Sequence, residues 1–166
     1  MNIITFEQAW NYGGPIMYVL AFLSVMALTN VLYLWISQRK GSFIKDALAK
    51  VTQSPDPAGE GERIAERVYL AVDWLADIAA IAPLVGLLGT VLGMFQAFGG
   101  IAADVTAGAK PVVLAQGVSQ AIVTTIFGLV VAIPSLALHA IFRRRASRLV
   151  ASLEEKVNEF YAQAQA

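Results

Sequence analysis

Two stretches of the chain place polar or very small side chains where bulky apolar ones would be safest. In "APLVGLLGTVLGMFQAFGG", residues 82–100, Ala82, Gly86, Gly89, Thr90, Gly93, Ala97 and Gly100 recur at steps of three and four. On a helix they form one continuous face. Downstream, Gly117, Ala121, Thr125, Gly128 and Ala132 repeat the device, with Gln120 and Thr124 beside that stripe. The lipid-depth parts of both stretches hold no Asp or Glu. Hydroxyls and an amide donate and accept hydrogen bonds but do not titrate near neutrality, so they can organise or pass an ion while carrying no proton on an acid of their own.

Packing alone accounts for such faces. Lipid tails do not drive helices together, so close van der Waals approach must, and small residues permit it. A single threonine in a membrane helix also ordinarily returns its hydroxyl to its own backbone carbonyls. Depth opens a second reading. At roughly 1.5 Å per residue, Thr90 and Thr125 both sit about 18 to 20 Å below the outer ends of their spans, level within one turn. Two hydroxyls at one depth, on small-residue faces, make a polar ring if several subunits surround an axis. The two faces exceed what a single three-helix subunit could satisfy on every side, so a homo-oligomer is expected.

Composition says which elements hold these residues. Of 166 residues, 57% are hydrophobic and 14% charged, and mean hydropathy is positive, which points to a small all-α integral membrane protein. With no cysteine, disulfides, thiolate chemistry and cysteine-ligated metals are excluded, and no cofactor is expected. Twelve basic and twelve acidic residues cancel, which argues against a nucleic-acid partner. Three spans are read, at 16–36, 78–103 and 111–142. Trp10 and Tyr12 precede the first, and Tyr33 and Trp35 close it, as in interfacial aromatic belts. The second and third belong to long helices expected to extend into the cytoplasm.

Basic residues set the orientation. Residues 1–15 carry none and the turn at 104–110 only Lys110. The segment 37–77 carries six: Arg39, Lys40, Lys45, Lys50, Arg63 and Arg67. The tail 143–166 carries Arg143, Arg144, Arg145, Arg148 and Lys156. The positive-inside rule then puts the N-terminus and the turn outside, and the central segment and tail in the cytoplasm. The Arg143–Arg145 run reads first as a topological anchor, with a site for membrane-lipid headgroups or a partner as the other reading. "TFEQAW" reads as an interfacial helix capped by Thr5, "SFIKDALAKV" as a short helix and "TQSPDPAGEG" as a linker, with helix resuming at Glu62 and running into the second span. Leu149, Leu153, Val157 and Phe160 give the tail helical spacing. A basic n-region and cleavage pattern are missing, so no removable signal peptide is expected.

An intramembrane hydrolase would need a nucleophile, a base and an orienting acid, whereas His139 has only Ser135 within one helical turn; an enzyme is not expected. His139 could tune an ion exit or simply be packed. Asp73 and Asp77, at i and i+4, could form an acidic vestibule in a ring or a solvated face. Pro83 and Pro134 read as local relaxations of their helices.

The stretch "LADIAAIAPLVGLLGTVLGMFQAFGGI", followed by "GVSQAIVTTIFGLVVAIPSLALH" and preceded by "GGPIMYVL", resembles the MotA/TolQ/ExbB proton-channel family, and within it short ExbB-like members. The resemblance implies an inner-membrane motor subunit. It implies a ring-shaped pentamer whose second and third spans surround the paired membrane helices of an ExbD/TolR-like single-span partner, with a TonB-like protein downstream. The partner's membrane aspartate would carry the proton, facing Thr90 and Thr125, with Thr124 and Gln120 in the same pathway. Gly86, Gly89, Gly93, Gly117 and Gly128 would form the packing and pore face. The family often has a glutamate at the position of Gln120, and glutamine cannot titrate. Sodium remains open beside the proton, as do a TolQ-like role in envelope maintenance and a non-conducting scaffold. A flagellar stator is disfavoured by the small cytoplasmic segment.

Overall fold

The computed structural model describes residues 10, 13–38, 40–102 and 110–164, and its regular elements are helices. They are α1 (Ile16–Ser37), α2 (Lys40–Gln53), α3 (Pro57–Ala102) and α4 (Lys110–Ala164). Of the expected interfacial helix only Trp10 is described, and 104–109 of the expected turn lies outside the described residues. Three helices, α1, α3 and α4, are long and apolar enough to cross a membrane. At 46 and 55 residues, α3 and α4 far exceed the roughly 20 residues that a bilayer core requires. Pro83 and Pro134 lie inside these helices without ending them.

Local chemistry sets the ends. Gly14 has φ 61°, a left-handed conformation that glycine adopts without penalty, and Pro15 follows it. The Met17 amide donates to Gly14 O at 3.1 Å and the Tyr18 amide to Pro15 O at 3.2 Å, which starts α1. Between α2 and α3, "SPDP" makes a compact stop and restart. The Asp56 amide donates to Ser54 Oγ at 3.3 Å, and the Gly59 amide donates to Asp56 Oδ1 at 3.1 Å. Asp56 is thus the N-cap of α3 and Pro57 its first residue, where a missing N–H is harmless. The helix begins five residues before the Glu62 expected from sequence, because Asp-Pro is a helix-start signal here rather than part of a linker. Replacing Asp56 with alanine is expected to lower stability by about 1 kcal/mol, and with serine by much less. Amide hydrogen exchange at Gly59 reports it, and unchanged protection in Asp56→Ala would contradict the cap.

The chain forms two compact units. The first joins the start of α1 to Ile78–Ser135, the apolar parts of α3 and α4. Ile16, Met17 and Leu20 are buried there, packed with Trp10, Val85 of α3 and Phe127 of α4. Trp10 and Tyr18 meet edge to face, 5.4 Å between centroids at 85°.

The second unit comprises Leu28–Asp77 with the chain from Leu136. Its core is Ala47 and Val51 of α2, Ile64 of α3 and Leu153 of α4, with Phe43, Leu48 and Val157 around it. Leu153 and Val157 of the tail spacing therefore pack against α2 and α3. Arg143 Nη1 donates to Asp73 Oδ1 at 3.0 Å across exposed surface, so one of the two proposed vestibule carboxylates is paired within the chain. His139 Nδ1 lies 3.1 Å from Val72 O; a carbonyl only accepts, so Nδ1 carries the proton. That bond favours the packed reading of His139.

Candidate functional site

The polar residues singled out by spacing all fall in the first unit, on α3 and α4. Gly86, Gly89 and Gly93 are buried on α3, and Gly117, Thr124 and Gly128 on α4. These glycines bring backbone to backbone. A Cβ added at Gly86 would lie 2.9 Å from Thr124 O and 3.3 Å from the Gly128 Cα. One at Gly93 would lie 3.0 Å from Gly117 O, and one at Gly128 would lie 2.8 Å from Ala82 O. A Cβ at Gly89 would meet the Thr124 side chain, 2.6 Å from its Cβ. The small faces of α3 and α4 therefore satisfy each other inside one chain. This corrects the expectation that one subunit leaves them unmet, and removes these faces as an argument for oligomerisation. Antiparallel ridges of glycine can approach this closely because nothing projects between them.

The threonines differ once placed. Thr124 is fully buried, and its hydroxyl donates to its own helix, to Ala121 O at 3.0 Å and towards Gln120 O at 3.2 Å. Thr90 is half-buried and donates to Leu87 O at 2.6 Å. Thr125 Oγ1 is buried and has no hydrogen-bond partner among the described residues. The heptad-like buried stripes run 82–86–89–93–97 and 117–121–124–128, so Thr90 and Thr125 each follow a buried residue by about 100° of helix rotation and sit at the stripe's edge. Sequence spacing had placed Thr125 in the stripe and Thr124 beside it; the burial is the reverse.

The contact of Gly89 with Thr124 fixes the register of the antiparallel pair, and it sets Thr90 and Thr125 at nearly one level. No hydrogen bond joins them among the described residues. Gln120 is half-buried beside Gly93, and its Nε2 would lie 3.0 Å from a Cβ on Gly14, so it sits against the turn that opens α1. Ser135, buried, donates to Val131 O at 2.7 Å. The element around these residues is apolar outward: Leu84, Leu87, Val91 and Phe95 on α3 and Ile122, Ile126, Val130 and Ile133 on α4 are exposed.

What this arrangement can do is hold one unsatisfied donor, Thr125, at depth in an apolar pair of helices that brings no acid of its own. Residues 38–155 match the MotA/TolQ/ExbB proton channel family. The chain belongs to the MotA/TolQ/ExbB proton channel family. Among ExbB and TolQ relatives, it is 44% identical over 84 residues to the biopolymer transport protein exbB1 of Vibrio cholerae, covering 51% of this chain and 36% of that protein. To the biopolymer transport protein ExbB of Aquifex aeolicus it is 33% identical over 139 residues, covering 84% of this chain and 83% of the relative. The Tol-Pal system protein TolQ of Pseudomonas aeruginosa is 32% identical over 97 residues, 58% of this chain and 41% of that protein. The chain thus spans about a third of the length of the Vibrio relative and most of the Aquifex one. Its likeness within the MotA/TolQ/ExbB family is to ExbB members.

The residue-level signal that spacing could not supply is the difference between hydroxyls. Which of Thr90, Thr124 and Thr125 keeps a free donor depends on rotamer and register, and only the helix pair decides it. Gln38, buried with neither amide atom partnered among the described residues, gives no signal in the sequence, because a polar residue just after an apolar span reads as ordinary interface.

Proposed function

We propose that the chain is an ExbB-like proton-channel motor subunit of a bacterial inner membrane. With an ExbD-like one-span partner it converts proton motive force into mechanical work for TonB-dependent outer-membrane transport. The single observation supporting this beyond family membership is the unused, buried hydroxyl of Thr125, level with Thr90 between spans that hold no acid. A partner aspartate within the ring, once deprotonated, needs a donor. Thr125 has one free, whereas the Thr90 hydroxyl already donates to Leu87 O and retains only acceptor capacity. The two threonines then divide the work: Thr125 stabilises the carboxylate and Thr90 accepts from the protonated acid. Thr124 and Gln120 brace the helix pair beside them, and Gly86, Gly89, Gly93, Gly117 and Gly128 keep α3 and α4 close. A homopentamer is carried over from the family, the intramolecular glycine packing no longer requiring one. The similarity to a Tol-Pal system protein supports a TolQ-like role in envelope maintenance as the second reading.

Proton entry after an outside acid pulse, read by a cytoplasmic pH dye, tests the proposal. Cells expressing the chain with its one-span partner should acidify faster than cells expressing either protein alone or a partner whose membrane aspartate is replaced by asparagine. Equal rates in all of them would leave a non-conducting scaffold.

Orientation is proposed from the basic residues. Reporter fusions after Gln53 and after Gln163 should both read as cytoplasmic; a periplasmic reading at either position would invert the pathway built on this topology.

A further inference from the structure

The second unit contains a cavity of about 210 Å³ where α1 ends, lined by Tyr33, Ser37, Gln38, Phe43, Lys50 and Arg67 among others. Gln38 is 2% exposed, and neither its Oε1 nor its Nε2 has a hydrogen-bond partner among the described residues. A buried amide left in this state is costly, so its neighbourhood is suited to a polar ligand. Lys50 and Arg67 are exposed on the same cavity, and neither enters an ion pair among the described residues. Asp46 lies on an adjoining cavity that shares Ser37, Phe43 and Lys50, so two cations face the site against one nearby carboxylate. The site therefore favours an anion.

Its level in the chain narrows the anion's source. Gln38 directly follows the apolar run of α1, in which Leu32, Tyr33 and Ile36 are exposed, and Arg39 comes next. This is where the head groups of the leaflet lie, and the exposed α1 side chains lead from the cavity back into the hydrocarbon. We propose that the cavity binds the phosphate head group of an anionic phospholipid, with Lys50 and Arg67 neutralising the phosphate, the Gln38 Nε2 donating to one of its oxygens, and the acyl chains lying along α1. A soluble phosphate would use the same polar groups and make no use of the apolar face. The inference rests on α1 lying in the membrane, and is independent of whether the chain conducts protons.

Native mass spectrometry of the purified full chain in detergent, titrated with phosphatidylglycerol or phosphatidylcholine, tests it. Wild type should retain one phosphatidylglycerol per chain and much less phosphatidylcholine. Lys50→Gln and Arg67→Gln, both at exposed positions, should each weaken phosphatidylglycerol retention about fivefold, and the pair by more than tenfold. Gln38→Leu should weaken it while leaving the thermal unfolding midpoint unchanged or raised. Arg145→Gln, with the same loss of charge elsewhere, should leave it as in wild type. Millimolar glycerol 1-phosphate should compete poorly. Equal retention of the two lipids, equal loss in Arg145→Gln, or no loss in the Lys50 and Arg67 variants would overturn the proposal. Full displacement by glycerol 1-phosphate would assign the site to a soluble anion and overturn the lipid.

Discussion

Gly128→Ala is expected to destabilise the protein by about 1 to 3 kcal/mol, while Gly99→Ala should be neutral or slightly stabilising. Both substitutions add one methyl group to an apolar helix, and alanine is the better helix former at both. The difference lies in what the methyl meets. At Gly128 it would come within 2.8 Å of Ala82 O and 3.1 Å of the Gly86 Cα, and at Gly99 no atom of the described residues lies within 4 Å. Ala82 O and Gly86 Cα are backbone, so relief requires α3 and α4 to separate along their length. That separation would loosen the other close approaches, at Gly89, Gly93 and Gly117, together. Thermal unfolding in detergent, followed by size-exclusion chromatography, reads the effect. Equal midpoints for Gly128→Ala and Gly99→Ala would mean that the glycine ridges do not hold the pair.

Thr125→Val is expected to separate stability from activity. Among the described residues the Thr125 hydroxyl is buried and unpartnered, so removing it should leave the unfolding midpoint unchanged or raise stability by about 1 kcal/mol. If that hydroxyl donates to a partner's carboxylate during proton exchange, losing it costs about 1 to 3 kcal/mol at that step, and turnover falls roughly fivefold or more. Thr125→Ser should keep the donor and most of the rate. Thr90→Val should cost less, since the Thr90 proton is already held by Leu87 O. A merely structural threonine would lose stability and activity together.

The sequence made the helical architecture and the site's neighbourhood legible for different physical reasons. Apolar runs of bilayer length and the three-and-four spacing of glycines are written directly in residue order, so α1, the apolar parts of α3 and α4, and the small-residue ridge on each are legible. The start of α3 is less legible, because proline and glycine read as breakers, whereas Asp56 followed by proline caps a helix. The partner of the glycine faces is not legible either. Spacing shows that a face is small, and it does not say whether the neighbour is the next helix of the same chain or another copy. Gly86 against Thr124 O and Gly128 against Ala82 O settle that they meet within one chain. The state of each hydroxyl was the least legible feature. Thr124 and Thr125 are adjacent and chemically identical, yet one is bonded to its own helix and the other is left with a free donor.

The central claim is that Thr125 donates to a titrating acid supplied by the partner, and proton flux through the purified complex measures it most directly. Wild-type, Thr125→Val and Thr125→Ser chains would be reconstituted with the one-span partner in liposomes at equal, verified stoichiometry, with a lumenal pH dye and an imposed proton gradient. Partner-dependent flux should fall roughly fivefold or more in Thr125→Val and stay near wild type in Thr125→Ser. If Thr125→Val assembles with the partner and conducts at the wild-type rate, Thr125 has no part in the proton path, and the polar residues of α3 and α4 serve packing alone.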